Sequence, residues 1–384
     1  MKSKNIGCTV NLSKNEIERY NRHLLLPGIG VAGQEKLVES RVLCIGSGGL
    51  GSPVLLYLAA AGVGRLGIMD FDVVDVSNLQ RQIIFSTQSV GKSKVESASQ
   101  KIHELNPQIK TDRIDYKLTK ENALDLFSSY DVIVDCTDNF PARYLINDAC
   151  ELTGKPNVYG SIFRFEGQVS VFNYAGGPGY RDLFPEPPEQ GLVPDCATAG
   201  VLGILPGLIG TIQATEVIKV ILGIGNTLSG RLLLYDALKM TFREIKIPKD
   251  NSRQPVIELV DYSESCNSQA ETMQSQEINP QYEISASSLA NELQTNNVLL
   301  IDVREPMEWD ICHIPGATLI PLGELDDRLN ELDTQKQIIA YCRTGIRTLE
   351  ALRILHEAGF STAKHLHGGI YAWSDEVDPT VPKY

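Results

Sequence analysis

Residues 41–51 read Arg-Val-Leu-Cys-Ile-Gly-Ser-Gly-Gly-Leu-Gly, and this stretch decides the fold of the first half of the chain. Its first part, Arg41–Ile45, is a short apolar run of the kind that forms a buried parallel strand. Gly46, Gly48 and Gly51 then satisfy the pattern G-x-G-x-x-G, and the apolar residues directly after them predict a helix. Glycines between a strand and a helix let the backbone approach a phosphate, which the N-terminal end of the helix attracts.

Strands and helices alternate around this stretch. The predicted helices are Asn15–Leu26, Ser52–Ala61, Lys92–Leu105 and Asn122–Ser128, and the predicted strands are Arg41–Ile45, Arg65–Phe71, Lys110–Ile114 and Asp131–Cys136. This alternation predicts a parallel sheet with helices on both faces. Antiparallel strands are predicted over Val158–Tyr174, followed by a Pro- and Gly-rich loop over Gly176–Asp195 that we expect to be mobile. A helix over Ile204–Leu222 and two more strands complete an α/β, Rossmann-like domain with a mixed sheet.

A second, smaller α/β unit is predicted after a polar segment. Residues 267–280 read NSQAETMQSQEINP, without hydrophobic periodicity, which is typical of a flexible linker. Beyond them the apolar runs Val298–Val303 and Ile338–Tyr341 predict strands, and Arg347–Ala358 predicts a helix. The predicted organisation is therefore a first domain over residues 1–266, a linker over 267–280 and a second domain over 281–384.

The charge and hydropathy of the chain exclude several classes of protein. Its 384 residues carry a formal charge of −13, of which −10 falls after residue 266, and no basic block is present. Nucleic-acid binding is therefore not expected. The apolar runs Val54–Gly64 and Val201–Gly210 are shorter than the roughly 20 residues that cross a bilayer, and the first residues do not resemble a secretory signal. We expect a cytoplasmic protein without a membrane span.

Eight cysteines are present, and no two of them are spaced as C-x-x-C. This spacing argues against a zinc ribbon or a thioredoxin-type motif. In a reducing compartment we expect free thiols, most of them buried. They are Cys8, Cys44, Cys136, Cys150, Cys196, Cys266, Cys312 and Cys342.

Polar residues after the glycine turn predict a nucleotide site. Asp70 lies nineteen residues beyond Gly51, at the end of the next predicted strand, where an acid accepts hydrogen bonds from ribose hydroxyls. By itself this pattern fits an NAD-dependent dehydrogenase equally well. The segment Asn78-Leu79-Gln80-Arg81 and Lys94 add groups that cleavage of ATP needs and hydride transfer does not. Asp138, just past a strand end, has the oxygen ligands that Mg²⁺ prefers.

Six motifs in this order resemble the MoeB/ThiF adenylyltransferases, bacterial relatives of the ubiquitin-activating enzymes. The resemblance covers about Leu12 to Cys266. The motifs are Arg19-Tyr20-Asn21-Arg22, the Gly46–Gly51 loop, Asp70-Phe71-Asp72, Asn78-Leu79-Gln80-Arg81, Gly91-Lys92-Ser93-Lys94 and Asp135-Cys136-Thr137-Asp138-Asn139.

The resemblance implies that ATP adenylates the C-terminal Gly-Gly carboxylate of a small ubiquitin-like sulfur-carrier protein. It also implies a homodimer in which Arg22 reaches the phosphates in the other subunit. The implied ATP-binding residues are Gly46, Gly48, Gly49, Gly51, Asp70 at the ribose with Asp72 beside it, Asn78, Arg81 and Lys94 at the phosphates, and Asp138, which would hold Mg²⁺ through ATP.

Two features depart from the family pattern or stay open within it. Many relatives carry two C-x-x-C pairs that bind a structural zinc, and these pairs align with residues 179–182 and 254–257, which contain no cysteine. We therefore expect no zinc site. Cys196 aligns with a loop cysteine that relatives use variably for a covalent link to the carrier. A cysteine in such a loop can act as a nucleophile. It can equally be a structural residue that only packs against its neighbours.

The second unit contains Cys342-Arg343-Thr344-Gly345-Ile346-Arg347 between a strand and a helix. Backbone N–H groups, the positive helix end and two arginines at such a loop stabilise a thiolate or a persulfide. A cysteine phosphatase would place five residues between the cysteine and the arginine, and here only four lie between Cys342 and Arg347. A tighter loop suits a sulfur atom better than a tetrahedral phosphate.

This unit resembles a single-domain rhodanese over Tyr282–Tyr384. The resemblance rests on the Cys342 loop, on Asp302 and Arg304, and on residues 313–317 and 367–373. It implies that Cys342 carries persulfide sulfur supplied by thiosulfate or by a cysteine desulfurase. Cys312 and His313 are interpreted as structural residues.

Together the two units predict that a persulfide on Cys342 attacks the adenylated carrier and yields a thiocarboxylate. Three alternatives stay open: an NAD oxidoreductase, an activator that passes the carrier on as a Cys196 thioester, and a non-catalytic scaffold that docks carriers. The pathway also stays open among molybdenum cofactor, thiamin, cysteine or natural-product synthesis and tRNA thiolation.

Overall fold

The computed structural model describes residues 12–187, 200–262, 280–295 and 297–384. The chain forms two compact units, Met1–Cys266 and Asn267–Tyr384. The linker predicted at 267–280 lies outside the described residues except for Pro280.

The first unit alternates strands and helices as the apolar runs predict. Its strands are β1 Arg41–Ile45, β2 Arg65–Met69, β3 Lys110–Ile114, β4 Val132–Asp135, β5 Asn157–Phe163, β6 Glu166–Phe172, β7 Arg231–Asp236 and β8 Thr241–Lys246. Its α-helices are α1 Lys14–Arg19, α2 Asn21–Leu24, α3 Gly30–Glu39, α4 Gly51–Ala61, α5 Lys94–Leu105, α6 Ala123–Ser128, α7 Phe140–Thr153 and α8 Leu205–Leu222.

These strands form one mixed sheet in the order β3-β2-β1-β4-β5-β6-β7-β8. The first five are parallel, and β5 to β8 pair antiparallel with their neighbours. The α/β, Rossmann-like fold with a mixed sheet is confirmed. Because β1 pairs with both β2 and β4, the glycine turn after β1 lies between the ends of two neighbouring strands.

Helix α8 is a core helix of this unit. Within the described residues it is the one helix long and apolar enough to cross a membrane by length and composition. Its Gln213 is fully buried, donates through Nε2 to the carbonyl oxygens of Asp135 (2.9 Å) and Val158 (3.1 Å), and therefore joins the helix to two strands. Glu216, also buried, accepts from Leu228 N at 2.8 Å. These contacts show that α8 packs on the sheet. Its apolar composition is therefore that of a buried core helix.

The structure differs from two sequence expectations. The single helix predicted over Asn15–Leu26 is divided at Tyr20, because this side chain is buried and its hydroxyl accepts from Asn106 Nδ2 at 2.9 Å. The loop predicted to be mobile over Gly176–Asp195 is packed in its described part, up to residue 187. There Tyr180 is 1% exposed and lies edge-on to Tyr144, with ring centroids 5.2 Å apart.

The second unit is a parallel sheet with helices. Its strands are β9 Glu283–Ile284, β10 Val298–Asp302, β11 Thr318–Leu319, β12 Gln337–Tyr341 and β13 Lys364–Leu366, and its α-helices are α9 Ala286–Glu292, α10 Pro306–Ile311, α11 Arg347–Glu357 and α12 Gly369–Glu376. The strand order is β11-β10-β12-β13-β9, with every pairing parallel. Strand β12, in the middle of the sheet, leads into the Cys342 loop.

A buried ion pair stabilises the second unit where β10 ends. Asp302 and Arg304 are both fully buried, and the Arg304 guanidinium lies 2.6 Å from Asp302 Oδ2. Arg304 also donates to the Cys312 carbonyl oxygen at 2.7 Å and to the Tyr384 hydroxyl. The pair therefore joins β10, the residue after α10 and the last residue of the chain.

We expect the single substitution Arg304→Met to lower the free energy of unfolding of the second unit by about 3–5 kcal/mol, because it leaves the Asp302 carboxylate buried and unpaired. Both tryptophans, Trp309 and Trp373, lie in this unit, so denaturant unfolding followed by tryptophan fluorescence reports on it within the full chain. The double variant Asp302→Leu/Arg304→Met removes both charges and should lose less stability than Arg304→Met. An equal loss in the two variants would show that the pair contributes through packing alone.

Candidate functional site

The first candidate site lies at the carboxyl end of the parallel strands. Ile45, the last residue of β1, is in register with Met69 of β2 and with Asp135 of β4. The segments that follow these three strands therefore leave the sheet side by side. They are the Gly46–Gly51 loop, Asp70–Asp72 and the turn over residues 136–139, which together contain most of the predicted nucleotide-binding residues. This is the edge of an open α/β sheet at which ligands bind.

The glycine loop is packed so closely that side chains do not fit at several positions. Gly46 has a φ of +91°, and a Cβ there would lie 2.8 Å from the Cys136 carbonyl oxygen. A Cβ at Gly51 would lie 2.0 Å from the Gly46 carbonyl oxygen. These glycines hold the loop against the sheet at the N-terminus of α4, so backbone N–H groups, not side chains, form the surface available to a phosphate.

Asp70 is fixed against this loop. Its Oδ2 accepts from both the backbone N and the Oγ of Ser47, each at 2.9 Å, and its Oδ1 accepts from Asp72 N at 3.1 Å. These three hydrogen bonds hold the Asp70 carboxylate in one orientation at the edge of the glycine loop. A fixed acceptor in this position fits a ribose hydroxyl.

Lys94, the first residue of α5, brings a buried cation to the same edge. Its side chain is 8% exposed, and Nζ lies 2.7 Å from Asp72 Oδ2 and 3.9 Å from Asp70 Oδ1. A buried ammonium is stabilised only when it is paired, and these two carboxylates provide the pairing. The structure therefore brings Asp70, Asp72 and Lys94 together, as the sequence predicts.

Asn78 and Arg81 lie in the segment that packs on the glycine loop. Arg81 Cγ would be 3.7 Å from a Cβ at Gly49, and the guanidinium donates to the Ser77 carbonyl oxygen at 3.2 Å. Asn78 Oδ1 accepts from Asp75 N at 3.1 Å, which stabilises this turn.

Gln82 is a neighbour of the loop that the sequence analysis missed. It is 5% exposed, and its Nε2 would lie 3.3 Å from a Cβ at Gly48. Within the described residues its Oε1 has no hydrogen-bond partner. The only sequence signal for it was its place directly after Asn78–Arg81.

Asp138 is exposed at the end of the turn that follows β4. Asp135 shapes this turn, because its Oδ1 accepts from Thr137 N at 2.9 Å and from Thr137 Oγ1 at 2.6 Å. Burial raises the pKa of the Asp135 carboxyl. Asn139 caps α7 by accepting from Ala142 N at 3.0 Å. Hydrogen bonds therefore hold the turn just before and just after Asp138, and Asp138 itself is exposed to solvent.

Arg22 does not lie with these residues in its own chain. It is exposed on α2, two residues after Tyr20, whose ring packs against Gly62 at the C-terminal end of α4. The glycine loop is at the N-terminal end of the same helix, which has 11 residues. At about 1.5 Å per residue, the two ends of α4 are roughly 16 Å apart.

Ion pairs lie next to residues 179–182 and 254–257, the two segments where the family resemblance implies zinc-binding cysteines in many relatives. Arg181 lies 2.8 Å from Asp148 Oδ1 and also donates to the Tyr262 hydroxyl, which in turn donates to Asp148. Arg253 lies 2.8 Å from Glu151 Oε2 and 3.6 Å from Asp182 Oδ1. We call these six residues the ion-pair clasp: Asp148, Glu151, Arg181, Asp182, Arg253 and Tyr262. The clasp joins α7 to the segments before residue 187 and after residue 249.

The second candidate site is the Cys342–Arg347 loop between β12 and α11. Cys342 is 1% exposed, and its Sγ accepts from Gly345 N at 3.1 Å. Gly345 has a φ of +92°, a conformation that favours glycine. The Cys342 carbonyl oxygen accepts from Ile370 N at 2.9 Å. The sulfur is therefore held at the N-terminus of an 11-residue helix with a backbone N–H directed at it, as expected for a stabilised sulfur anion.

Arg347 is paired with a carboxylate, although the sequence predicts that it adds positive charge at the sulfur. Arg347 is bound through both guanidinium nitrogens to the Glu308 carboxylate of α10, at 2.6 Å each. Burial opposes ionisation of Glu308, but the hydrogen-bonded Arg347 keeps the pKa of that carboxyl below its ordinary value. The Arg347 charge is therefore largely neutralised by Glu308, a residue that no sequence motif indicated.

Two further sequence predictions concern cysteine and histidine side chains. Cys196 lies outside the described residues. The His313 ring stacks on Trp309 at 3.9 Å, and Cys312 Sγ contacts the Pro382 carbonyl oxygen at 3.6 Å. Both contacts fit the structural roles expected for His313 and Cys312.

The residues at the first site fit a nucleoside triphosphate. The closely packed glycine loop leads into the N-terminus of α4, where backbone N–H groups can bind a phosphate. Asp70 offers a fixed acceptor, and Lys94 and Arg81 offer cations. Among the described residues no group of three or more His, Cys, Asp or Glu side chains is placed to hold a metal ion. A Mg²⁺ ion bound by one carboxylate and by phosphate oxygens needs no such group.

Two family models match the chain. The ThiF family model matches residues 20–256, and the rhodanese-like domain model matches residues 285–376. A relative from Mycobacterium tuberculosis, named probable adenylyltransferase/sulfurtransferase MoeZ, is 50% identical over 97% of this chain and 96% of its own length. The adenylyltransferase and sulfurtransferase MOCS3 of Aedes aegypti is 41% identical over 98% of this chain and 91% of its own length.

Solved structures share the fold of part of the chain. A crystal structure of E. coli MccB with MccA-N7isoASN has a TM-score of 0.56 at 20% identity, over 64% of this chain and 76% of that one. A structure of PaaA has a TM-score of 0.54 at 24% identity, over 65% of this chain and 79% of that one.

Proposed function

The chain belongs to the ThiF family and carries a rhodanese-like domain after it, and from this premise we propose that it adenylates a ubiquitin-like sulfur carrier and converts it to a thiocarboxylate. Its relatives MoeZ and MOCS3 are named for the same two activities, adenylyl transfer and sulfur transfer. The chain is therefore an enzyme with two transferase activities. The substrate proposed for it is a carrier protein that ends in Gly-Gly.

One observation carries this proposal: a single chain presents both a glycine loop with fixed acidic and cationic neighbours and a cysteine loop at a helix N-terminus. The first can hold a nucleotide, through Asp70 and Lys94. The second can hold a sulfur anion, through Gly345 N. Neither a dehydrogenase nor a docking scaffold requires the second loop.

In the adenylation step the glycine loop and Asp70 orient the nucleotide, and Asn78, Arg81 and Lys94 bind its phosphates. The cations offset the negative charge that builds up when the carrier carboxylate attacks the α-phosphate and pyrophosphate leaves. Asp138 would hold Mg²⁺, which neutralises phosphate charge when bound. For Lys94 to reach a phosphate, it exchanges part of its contact with Asp72, which lies 2.7 Å away.

In the sulfur-transfer step the persulfide of Cys342 attacks the adenylated carboxyl carbon, and AMP leaves. The product is an acyl disulfide between the carrier and Cys342. A thiolate then attacks Cys342 Sγ, which releases the carrier thiocarboxylate and forms a disulfide that cellular thiols reduce. We propose Cys196 as this thiolate. The linker proposed at 267–280 would let the second unit move between a sulfur donor, thiosulfate or a cysteine desulfurase, and the adenylate.

The alternative in which Cys196 passes the carrier on as a thioester is not favoured, because both relatives are named sulfurtransferases. A cytoplasmic location is proposed on the acidic composition and on the reduced thiols that this chemistry needs. The carrier that the chain uses sets the pathway, among those left open by the sequence.

Single substitutions should separate the two steps. We expect Asp138→Ala to reduce ATP–pyrophosphate exchange at least 100-fold, because removing a group that stabilises transition-state charge has effects of about this size. Cys342→Ala should leave the exchange intact and abolish thiocarboxylate formation. The measurement is intact mass spectrometry of each candidate Gly-Gly carrier incubated with ATP, Mg²⁺ and thiosulfate. If both variants make thiocarboxylate at the wild-type rate, the assignment of these residues is wrong.

A homodimer with Arg22 acting in the other subunit can be tested by mixing two inactive variants. Arg22→Ala and Asp138→Ala should each lose adenylation. After exchange of subunits in an equal mixture, about a quarter of the wild-type activity should return, because half of the dimers are mixed and each contains one intact site. No recovery, with mixed dimers verified by mass, would place Arg22 in the site of its own chain or outside catalysis.

We further propose that the ion-pair clasp replaces a structural zinc. Arg253→Ala should then lower the melting temperature of the first unit by several degrees, since it leaves Glu151 and Asp182 without their cation. Prolonged dialysis against a chelator should not change that temperature. As a matched control, Arg243→Ala removes an exposed arginine from β8 and should have little effect. Stoichiometric zinc in the purified protein would contradict this proposal.

A further inference from the structure

A buried chain of hydrogen bonds extends from the cysteine loop into the second unit. Gly345 donates its N–H to Cys342 Sγ at 3.1 Å, and its carbonyl oxygen accepts from Thr348 Oγ1 at 2.6 Å. Thr348 Oγ1 in turn lies 3.2 Å from Nδ1 of His365, on β13. Thr348 is fully buried and His365 is 2% exposed. We call these contacts the Gly345–Thr348–His365 chain.

The direction of each hydrogen bond follows from counting protons. A carbonyl oxygen only accepts, so Thr348 must donate its single hydroxyl proton to the Gly345 carbonyl oxygen. The contact between Thr348 Oγ1 and His365 therefore requires that Nδ1 of the imidazole is the donor. A neutral ring in this state has no proton on Nε2, and within the described residues this atom has no hydrogen-bond partner.

The surroundings of His365 favour the neutral ring. Burial lowers its pKa, and the Glu283 carboxylate, with Oε1 3.6 Å from Nε2, opposes this effect. His367 faces the same Glu283 oxygen at 3.6 Å. A neutral imidazole with its proton on Nδ1 is thus available to hold the Thr348 hydroxyl in one orientation.

We propose that Thr348 and His365 are positioning residues for the sulfur of Cys342. Gly345 adopts a φ of +92°, and its two peptide groups make different contacts: the N–H reaches Cys342 Sγ, and the carbonyl reaches Thr348. His365 fixes the hydroxyl rotor of Thr348, Thr348 fixes the carbonyl, and the carbonyl fixes the direction of the neighbouring N–H. Loss of the Thr348 hydroxyl or of the His365 ring lets the Gly345 peptide group rotate, which weakens the hydrogen bond from Gly345 N to the sulfur.

The benefit is greatest when the sulfur carries negative charge, because hydrogen bonds to charged acceptors are stronger than those to neutral ones. The Cys342 thiolate is the form that attacks the sulfur donor, and it forms again when cellular thiols reduce the disulfide left after the transfer. This part of the inference rests on the proposed function, in which Cys342 is the sulfur-bearing residue. The positioning itself concerns the thiolate and can be measured without any sulfur donor.

The test is the rate at which iodoacetamide alkylates Cys342 in the full chain, followed by peptide mass spectrometry across a pH series. We expect Thr348→Val to slow alkylation at neutral pH about three- to tenfold, the usual worth of one hydrogen bond. Thr348→Ser keeps the hydroxyl and should react as the wild type does. Equal rates for Thr348→Val and the wild type at every pH would overturn the proposal.

His365 is tested by a second matched pair. His365→Leu removes the donor and should slow alkylation as Thr348→Val does, whereas His365→Asn keeps an amide N–H in place of Nδ1 and should recover most of the rate. The double variant Thr348→Val/His365→Leu should be no slower than either single variant, because both act through one chain of contacts. Additive losses, or equal losses in His365→Leu and His365→Asn, would show a general packing role and overturn the proposal.

Two further measurements keep this inference distinct from the proposed function. ATP–pyrophosphate exchange, a property of the first unit, should be unchanged in all four single variants. Loading of wild-type Cys342 with sulfur from thiosulfate tests the proposed function alone. If loading fails with thiosulfate and also with a cysteine desulfurase while the alkylation series behaves as expected, the positioning stands and the sulfur-bearing role of Cys342 is wrong.

Discussion

Both reactive loops connect a central, buried parallel strand to the first turn of a helix, and both sites depend on this placement. In the first unit β1 leads through the glycine loop into α4, and in the second β12 leads through the cysteine loop into α11. A buried strand fixes the start of each loop, and the helix supplies N–H groups and the positive end of its dipole. The same backbone arrangement thus suits two anions of different kinds, a phosphate and a sulfur.

Carboxylates stabilise the cations at these sites and limit their charge. Lys94 is paired with Asp72, and Arg347 is bound through two hydrogen bonds to Glu308. A buried cation without a partner costs several kcal/mol, and each acid offsets the cost of burying its cation. The consequence differs between the sites. Asp72 is half exposed, so Lys94 can turn towards a phosphate, whereas Glu308 holds Arg347 closely and leaves the backbone N–H of Gly345 as the direct contact with the sulfur.

The sequence allowed the α/β fold to be predicted, and also the meeting of most residues at the candidate nucleotide site, because both depend on local patterns. Apolar runs ending in glycine or aspartate indicate parallel strands, and residues at neighbouring strand ends must meet, as Asp70 and the glycine loop do. Arg22 was singled out only by family resemblance, since it lies at the far end of α4 from the glycine loop of its own chain. Gln82 carries no pattern of its own.

Other features could not be predicted because they arise from packing between distant segments. The break at Tyr20 comes from a hydrogen bond to Asn106, 86 residues away, which no helical periodicity reveals. The Pro- and Gly-rich composition around Tyr180 suggested mobility, but a ring buried among other aromatic residues orders its described part. Glu308 and His365 likewise reach the cysteine loop from separate elements.

The ion-pair clasp has a consequence for a protein that handles reactive sulfur. Thiolates attack the outer sulfur of a persulfide, and a zinc ion held by four cysteine thiolates presents four such nucleophiles. The clasp residues Asp148, Glu151, Arg181, Asp182, Arg253 and Tyr262 contain no sulfur. In the proposal that the clasp replaces a structural zinc, this end of the first unit holds no zinc-bound thiolate that could attack a persulfide, and it depends on ion pairs and not on a supply of metal.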